Sequence, residues 1–143
     1  MTIKKVLVFG TFDGLHSGHI NLFKQAKRYG DYLIVVVARD STTKKIKDYL
    51  PVRDEKERLN EVKRNELVDK AVCGYKNNPY RIIEKVEPDI ILLGYDQRSF
   101  TADLPKELRK KGMRVKIFRA KPYKPKIFHS IIINKKKCRK SRF

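Results

Sequence analysis

Residues 6–19 read VLVFGTFDGLHSGH: four consecutive apolar residues, then three glycines and two of the chain's three histidines within ten positions. Unbroken apolar character marks a strand buried on both faces. Gly10 follows that strand, Gly14 relaxes a turn and Gly18 opens a helix, so backbone N–H groups and the positive helix end face the loop. Such a loop suits phosphate, yet it is neither a P-loop nor a Gly-x-Gly-x-x-Gly turn, so the anion needs further donors. His16 and His19 fall across the first helical turn and project on one side, with no side chain at Gly18 to block a ligand. A single histidine there would cap the helix or face solvent. Two in one glycine-rich loop offer paired imidazole donors to one phosphate. A metal reading lacks ligands, because no Cys or further His lies near the pair, and no metal-binding residues are assigned.

Working outward, similar apolar runs recur as YLIVVVA (32–38), KAVCG (70–74), DIILLG (89–94) and RVKIF (114–118). Helix-like segments separate them: HINLFKQAKRYG closed by Gly30, RDEKERLNEVKRNEL with Asp54 and Glu57 as a capping box, NPYRIIEKVE, and LPKELRKKG closed by Gly112. The alternation predicts an α/β fold: a single Rossmann-like domain with a five-stranded parallel sheet and helices on both faces. The expected domain spans residues 1–133, followed by a basic tail at 134–143. Ligands of such sheets bind beyond the carboxyl ends of the strands, where GTFDGLHSGH, ARDSTTKKIKDYLPVR and GYDQRSF would gather as loops.

The chain has 143 residues, enough for one domain with a sizeable core, and carries 35 Lys or Arg against 16 Asp or Glu, a net charge of +19. Most of the excess is terminal: from Pro105 onward sixteen Lys or Arg face the single acid Glu107, a net +15. Such charge attracts polyanions without choosing among them. Cys73 and Cys138 have no paired spacing, which indicates neither a disulfide framework nor a zinc site and suits a reducing cytoplasm. The opening residues lack the apolar run of a signal peptide, and no stretch approaches the roughly 18 apolar residues of a membrane span. The expectation is a cytoplasmic protein with no membrane span.

GTFDGLHSGH resembles the Gly-Thr-Phe-Asp…His-x-Gly-His motif of the cytidylyltransferase-like nucleotidyltransferases. The likeness extends from Lys4 to Ser130, because GDYLIVVVARD, EKERL, VDKAV, PDIILLGYDQ and KIFHS follow in that family's order. What the resemblance implies is transfer of a nucleotidyl group from ATP or CTP, with Mg²⁺ or another divalent cation, to a phosphorylated acceptor, with release of pyrophosphate. His16 and His19 would stabilise charge building on the α-phosphate without forming a covalent intermediate. Thr11 and the backbone of Phe12 would contact the nucleotide phosphates, and Lys44 or Lys47 would neutralise the triphosphate. Arg58 in EKER corresponds to the family's Glu-x-x-Arg arginine, although an arginine on an amphipathic helix also serves as an ion-pair partner. Asp96 would contact the ligand beside Gly94, whose bare backbone allows close approach. The family's second motif, Arg-Thr-x-x-Ile-Ser-Ser/Thr, is matched by KPKIFHSII with Lys126 and Ser130 in the corresponding places, while Ile131 replaces the second hydroxyl.

The wording of VVVARD and LGYDQ most resembles the archaeal-type FAD synthetases, which adenylylate FMN. Glycerol-3-phosphate cytidylyltransferases share the first motif with a different loop after the fourth strand. Family members are often dimers, so a homodimer is a further expectation of the resemblance. Two other classes stand beside the enzyme: a nucleotide-binding member without turnover, given the altered second motif, and a basic nucleic-acid-binding protein. The second is disfavoured, because the tail has only Phe128 and Phe143 nearby as stacking rings.

Overall fold

A computed structural model describes residues 3–76, 78–97 and 101–122, without the side chains of residues 46 and 47. Among the described residues, five strands and five helices follow in the order β1 (Lys5–Gly10), α1 (Ser17–Tyr29), β2 (Tyr32–Val37), α2 (Asp40–Lys47), α3 (Glu55–Lys63), β3 (Lys70–Cys73), α4 (Arg81–Val86), β4 (Ile90–Leu93), α5 (Leu104–Lys110) and β5 (Lys116–Arg119). All pairings are parallel and the strand order is β3-β2-β1-β4-β5. The expected five-stranded Rossmann-like sheet is therefore present.

Alternate residues of each strand serve opposite faces. Val6 and Val8 of β1 join Leu33, Val35 and Val37 of β2 in a core with Phe23 and Ala26 of α1 and Val62 of α3. Leu7, Phe9, Ile34 and Val36 face the other way, onto Ile82 and Ile83 of α4 and Leu104 and Leu108 of α5. The unbroken apolar runs thus mean two cores sharing one sheet. At the sheet edge β5 departs from that pattern, with Lys116, Phe118 and Arg119 exposed.

Local signals explain most boundaries. The Asp54–Glu57 capping box forms, each side chain accepting the other's backbone N–H at 2.8 and 3.3 Å. Gly112 adopts the left-handed conformation at φ +67 just past α5. Gly30 ends α1 for a different reason: its backbone is extended, and a Cβ there would lie 2.7 Å from the Lys4 carbonyl oxygen.

The stretch ARDSTTKKIKDYLPVR, expected as a loop, instead begins with α2. Ser, Thr and Thr are weak helix formers in its first turn. Tertiary partners hold it: the Asp40 backbone N–H donates to Glu55 at 3.0 Å, and the Asp40 carboxylate accepts from the Glu55 N–H at 3.2 Å. The helix stops at Asp48, left-handed at φ +61, whose N–H donates to the Lys44 carbonyl.

Candidate active site

Strand order reverses at β1, which pairs with β2 on one side and β4 on the other. Loops leaving β1 and β4 at their carboxyl ends flank the resulting crevice, the usual ligand position in open α/β sheets. The β1–α1 loop is pinned at several points. Its Asp13 carboxylate is buried and accepts the backbone N–H groups of Val52 at 2.7 Å and Arg53 at 2.9 Å. The N–H of Leu15 donates to Glu61 of α3 at 2.8 Å. Gly14 turns at φ +90, its N–H on the Phe12 carbonyl.

Phe12 is also left-handed, at φ +54, a conformation that costs a non-glycine residue about 1–3 kcal/mol unless surroundings enforce it. Its buried ring packs against the rings of His19 and Phe23, with centroids 5.2 and 5.6 Å away. Gly10 makes room for that ring: a Cβ there would stand 2.6 Å from its tip. Gly18 likewise accommodates the His16 ring, 2.8 Å from where its Cβ would be. The open approach that the sequence suggests at Gly18 is thus lined by the loop's own His16 ring, as Gly10 is lined by the Phe12 ring.

His16 is the N-cap of α1 and His19 its third residue. The His16 Nδ1 accepts the Gly18 N–H at 3.0 Å, and the His19 Nδ1 accepts the His16 N–H at a longer 3.4 Å. The two histidines form a reciprocal capping box, a place more often filled by Ser/Thr and Glu. A nitrogen that accepts a hydrogen bond carries no proton, so each neutral ring holds its proton on Nε2 and remains a donor there. The rings stack at 4.0 Å with planes 27° apart, where two positive charges would repel. Burial lowers the pKa of His16 from its ordinary 6.5.

Beneath the loop lies Arg58, completely buried. Its guanidinium donates to the Thr11 carbonyl at 2.7 Å, to Asp40 at 2.8 Å and, through Nε, to the Arg53 carbonyl at 3.1 Å. Arg58, expected among the nucleotide contacts, has no accessible surface for a ligand and supports the loop from below. Arg39 extends the network, donating to Glu55 at 2.8 Å and to the Gly74 carbonyl at 2.7 Å. The Asp40 N–H bond to Glu55, with the Arg39 bond and the charges of Arg39 and Arg58, lowers the Glu55 pKa.

Lys44 is exposed on α2. The Lys47 side chain, Lys126, Ser130 and residues 134–143 lie outside the described residues. Across the crevice the Gly94 N–H donates to the Gln97 side chain at 3.1 Å, and Arg119 clamps the turn through the Gly94 and Gln97 carbonyls at 2.8 and 2.7 Å. Asp96 is exposed on that turn, and a Cβ at Gly94 would meet only ordinary contacts. Asp13, Asp40, Arg53 and Arg119 were missed by sequence reading. Among the described residues no group of three or more His, Cys, Asp or Glu is placed to hold a metal ion, and no helix is long and apolar enough to cross a membrane.

The cytidylyltransferase-like family model matches residues 7–139. The chain is 44% identical over 119 residues to the FAD synthase of Aciduliprofundum boonei, spanning 83% of this chain and 79% of that protein. It is 40% identical over 132 residues to the FAD synthase of Thermoplasma volcanium, spanning 92% of each. Among solved structures, a protein described as a lipopolysaccharide core biosynthesis protein from Thermoplasma volcanium superposes with a TM-score of 0.80 at 41% identity, covering 85% of this chain and 99% of that one. A pantoate-beta-alanine ligase from Francisella tularensis shares the fold alone, with a TM-score of 0.57 at 16% identity over 93% of this chain and 69% of that one.

Proposed function

The chain belongs to the cytidylyltransferase-like family, and we propose that it is an FMN adenylyltransferase, transferring AMP from ATP to the phosphate of FMN with release of pyrophosphate. The paired Nε2–H imidazoles at the start of α1 carry the proposal. An oxygen of the FMN phosphate attacks the α-phosphorus in line, a new O–P bond forms, and the bond to the leaving pyrophosphate breaks. Charge builds on the α-phosphate oxygens in between, where His16 and His19 donate to it from a fixed loop. Relatives at 40–44% identity over most of the chain bear the name FAD synthase, which supports FMN over glycerol 3-phosphate and ATP over CTP.

The other contacts rest on the resemblance. Thr11, the backbone of Phe12, and Lys44 with Lys47 take the triphosphate, and Gly94 and Asp96 take the nucleoside side of the crevice. Lys126 and Ser130 stand as further phosphate contacts on the strength of the resemblance. Arg58 is a positioning residue, holding the Thr11 carbonyl. A divalent cation, Mg²⁺ by the resemblance, would come with the triphosphate and neutralise charge on its phosphates. Residues 134–143 form a basic tail outside the chemistry. Unpaired cysteine spacing suits a cytoplasmic enzyme, and the resemblance implies a homodimer.

The test offers ATP and CTP in turn with FMN and with glycerol 3-phosphate, measuring pyrophosphate. Release with ATP and FMN is expected; release confined to CTP and glycerol 3-phosphate overturns the reading. Turnover that persists at moderate salt separates catalysis from polyanion binding, which many lysines make steeply salt-dependent.

A further inference from the structure

We propose that Arg53 grips the phosphate of the acceptor, a role that rests on the adenylyltransferase reading above. Its backbone is held at both ends by the machinery of the site: the N–H donates to the buried Asp13 at 2.9 Å, and the carbonyl accepts from Arg58 at 3.1 Å. The guanidinium then lies across the loop at Gly14, where a Cβ would come within 2.7 Å of Nη1. The side chain is half-buried, and among the described residues no carboxylate or carbonyl engages the guanidinium. An arginine so closely positioned, with its fork of donors uncommitted, is suited to a phosphate brought by a ligand.

Position bears on which phosphate. Arg53 sits in the segment between α2 and α3, and α3 packs on β2 and β3, whereas the Gly94–Gln97 turn leaves β4 on the other side of β1. Taking Gly94 and Asp96 as nucleoside contacts, as under the proposed function, leaves the α2–α3 segment to a phosphate, and the Arg53→Gln variant below decides between the acceptor's phosphate and the triphosphate. The entering group is itself an anion approaching a triphosphate, and repulsion between them opposes the encounter. A fixed cation at the acceptor's entrance offsets that repulsion before the chemistry begins.

Arg53→Gln separates this role from a structural one, because the substitution leaves the backbone bonds to Asp13 and Arg58 in place. Flavin fluorescence, read with a non-hydrolysable ATP analogue present, gives the affinities for FMN and for riboflavin, which lacks the phosphate. The variant should bind FMN about tenfold more weakly, the loss expected of one half-exposed charge-assisted contact, with riboflavin affinity, the KM for ATP and the melting temperature unchanged. Arg53→Lys should recover part of the loss. Equal weakening for riboflavin, a change in the KM for ATP instead, or unaltered FMN affinity in an enzyme that still makes FAD overturns the assignment. A wild-type chain that releases no pyrophosphate from ATP and FMN overturns the underlying reading instead.

Discussion

His16 performs two tasks through two ring nitrogens, and substitution can separate them. Its Nδ1 accepts the Gly18 N–H at 3.0 Å as the cap of α1, and its Nε2–H is a donor to the reacting phosphate under the proposed function. His16→Ala removes both. The lost cap costs about 1 kcal/mol, a fall of about 2–4 °C in melting temperature for a domain of this size. The lost donor costs about 2.7–4 kcal/mol in the transition state, about a 100- to 1,000-fold fall in kcat. His16→Asn restores the cap, since its amide oxygen can accept the same N–H, but its shorter side chain does not extend to the Nε2 position. Thermal melts should therefore return to the wild-type value in His16→Asn while pyrophosphate release stays low. Turnover within about tenfold of wild type in that variant would refute a catalytic His16. The double variant with His19→Ala should lose less than the sum of the singles, because both donors serve one charge. The pH dependence has a fixed sign. Burial depresses the folded pKa of His16 below 6.5, so its contribution to stability is complete above that pH and is lost as pH falls through the lower folded value. Protonation at Nδ1 also breaks the cap, so kcat should decline on the same acid limb.

Asp40→Ala leaves Arg58 buried without its carboxylate partner. The cost should be about 3 kcal/mol, the low end for breaking a buried pair, since the Thr11 and Arg53 carbonyls remain as acceptors. Denaturant titration checks it, and a change below about 1 kcal/mol would show that the pair is not what holds the loop. Removing residues 135–143 should leave FAD formation intact. Loss of turnover in a truncated chain that still melts cooperatively would place the tail in the site.

The sheet was legible because burial on both faces needs consecutive apolar residues, and VLVF, YLIVVV and IILL supply them. The histidine pair was legible from its spacing around Gly18. Helix α2 was not, because what stabilises it is Glu55, fifteen positions away in sequence. The burial of Arg58 left one signal: it stands four residues before Val62, on the same inward stripe of α3. Nothing local marks Asp13 as a tether, since its partners lie some forty residues on.

That dependence bears on how the loop works. A non-glycine residue at φ +54 persists only where packing and tethers on both sides enforce it. Here the Phe12 ring is packed over Gly10 and against Phe23, Asp13 is tied to Val52 and Arg53, and Arg58 holds the Thr11 carbonyl from beneath. The same Phe12 ring meets the His19 imidazole edge-on, and His19 stacks on His16. Strain in the backbone is thus coupled, ring by ring, to the orientation of the two donors. Under the proposed function, a loop free to relax at Phe12 would have to reorient both imidazoles when the phosphate arrives, and that reorganisation would raise the barrier to transfer. Held as it is, the loop would present donors already aligned before charge develops, the condition under which a hydrogen-bond donor lowers the energy of a transition state most effectively.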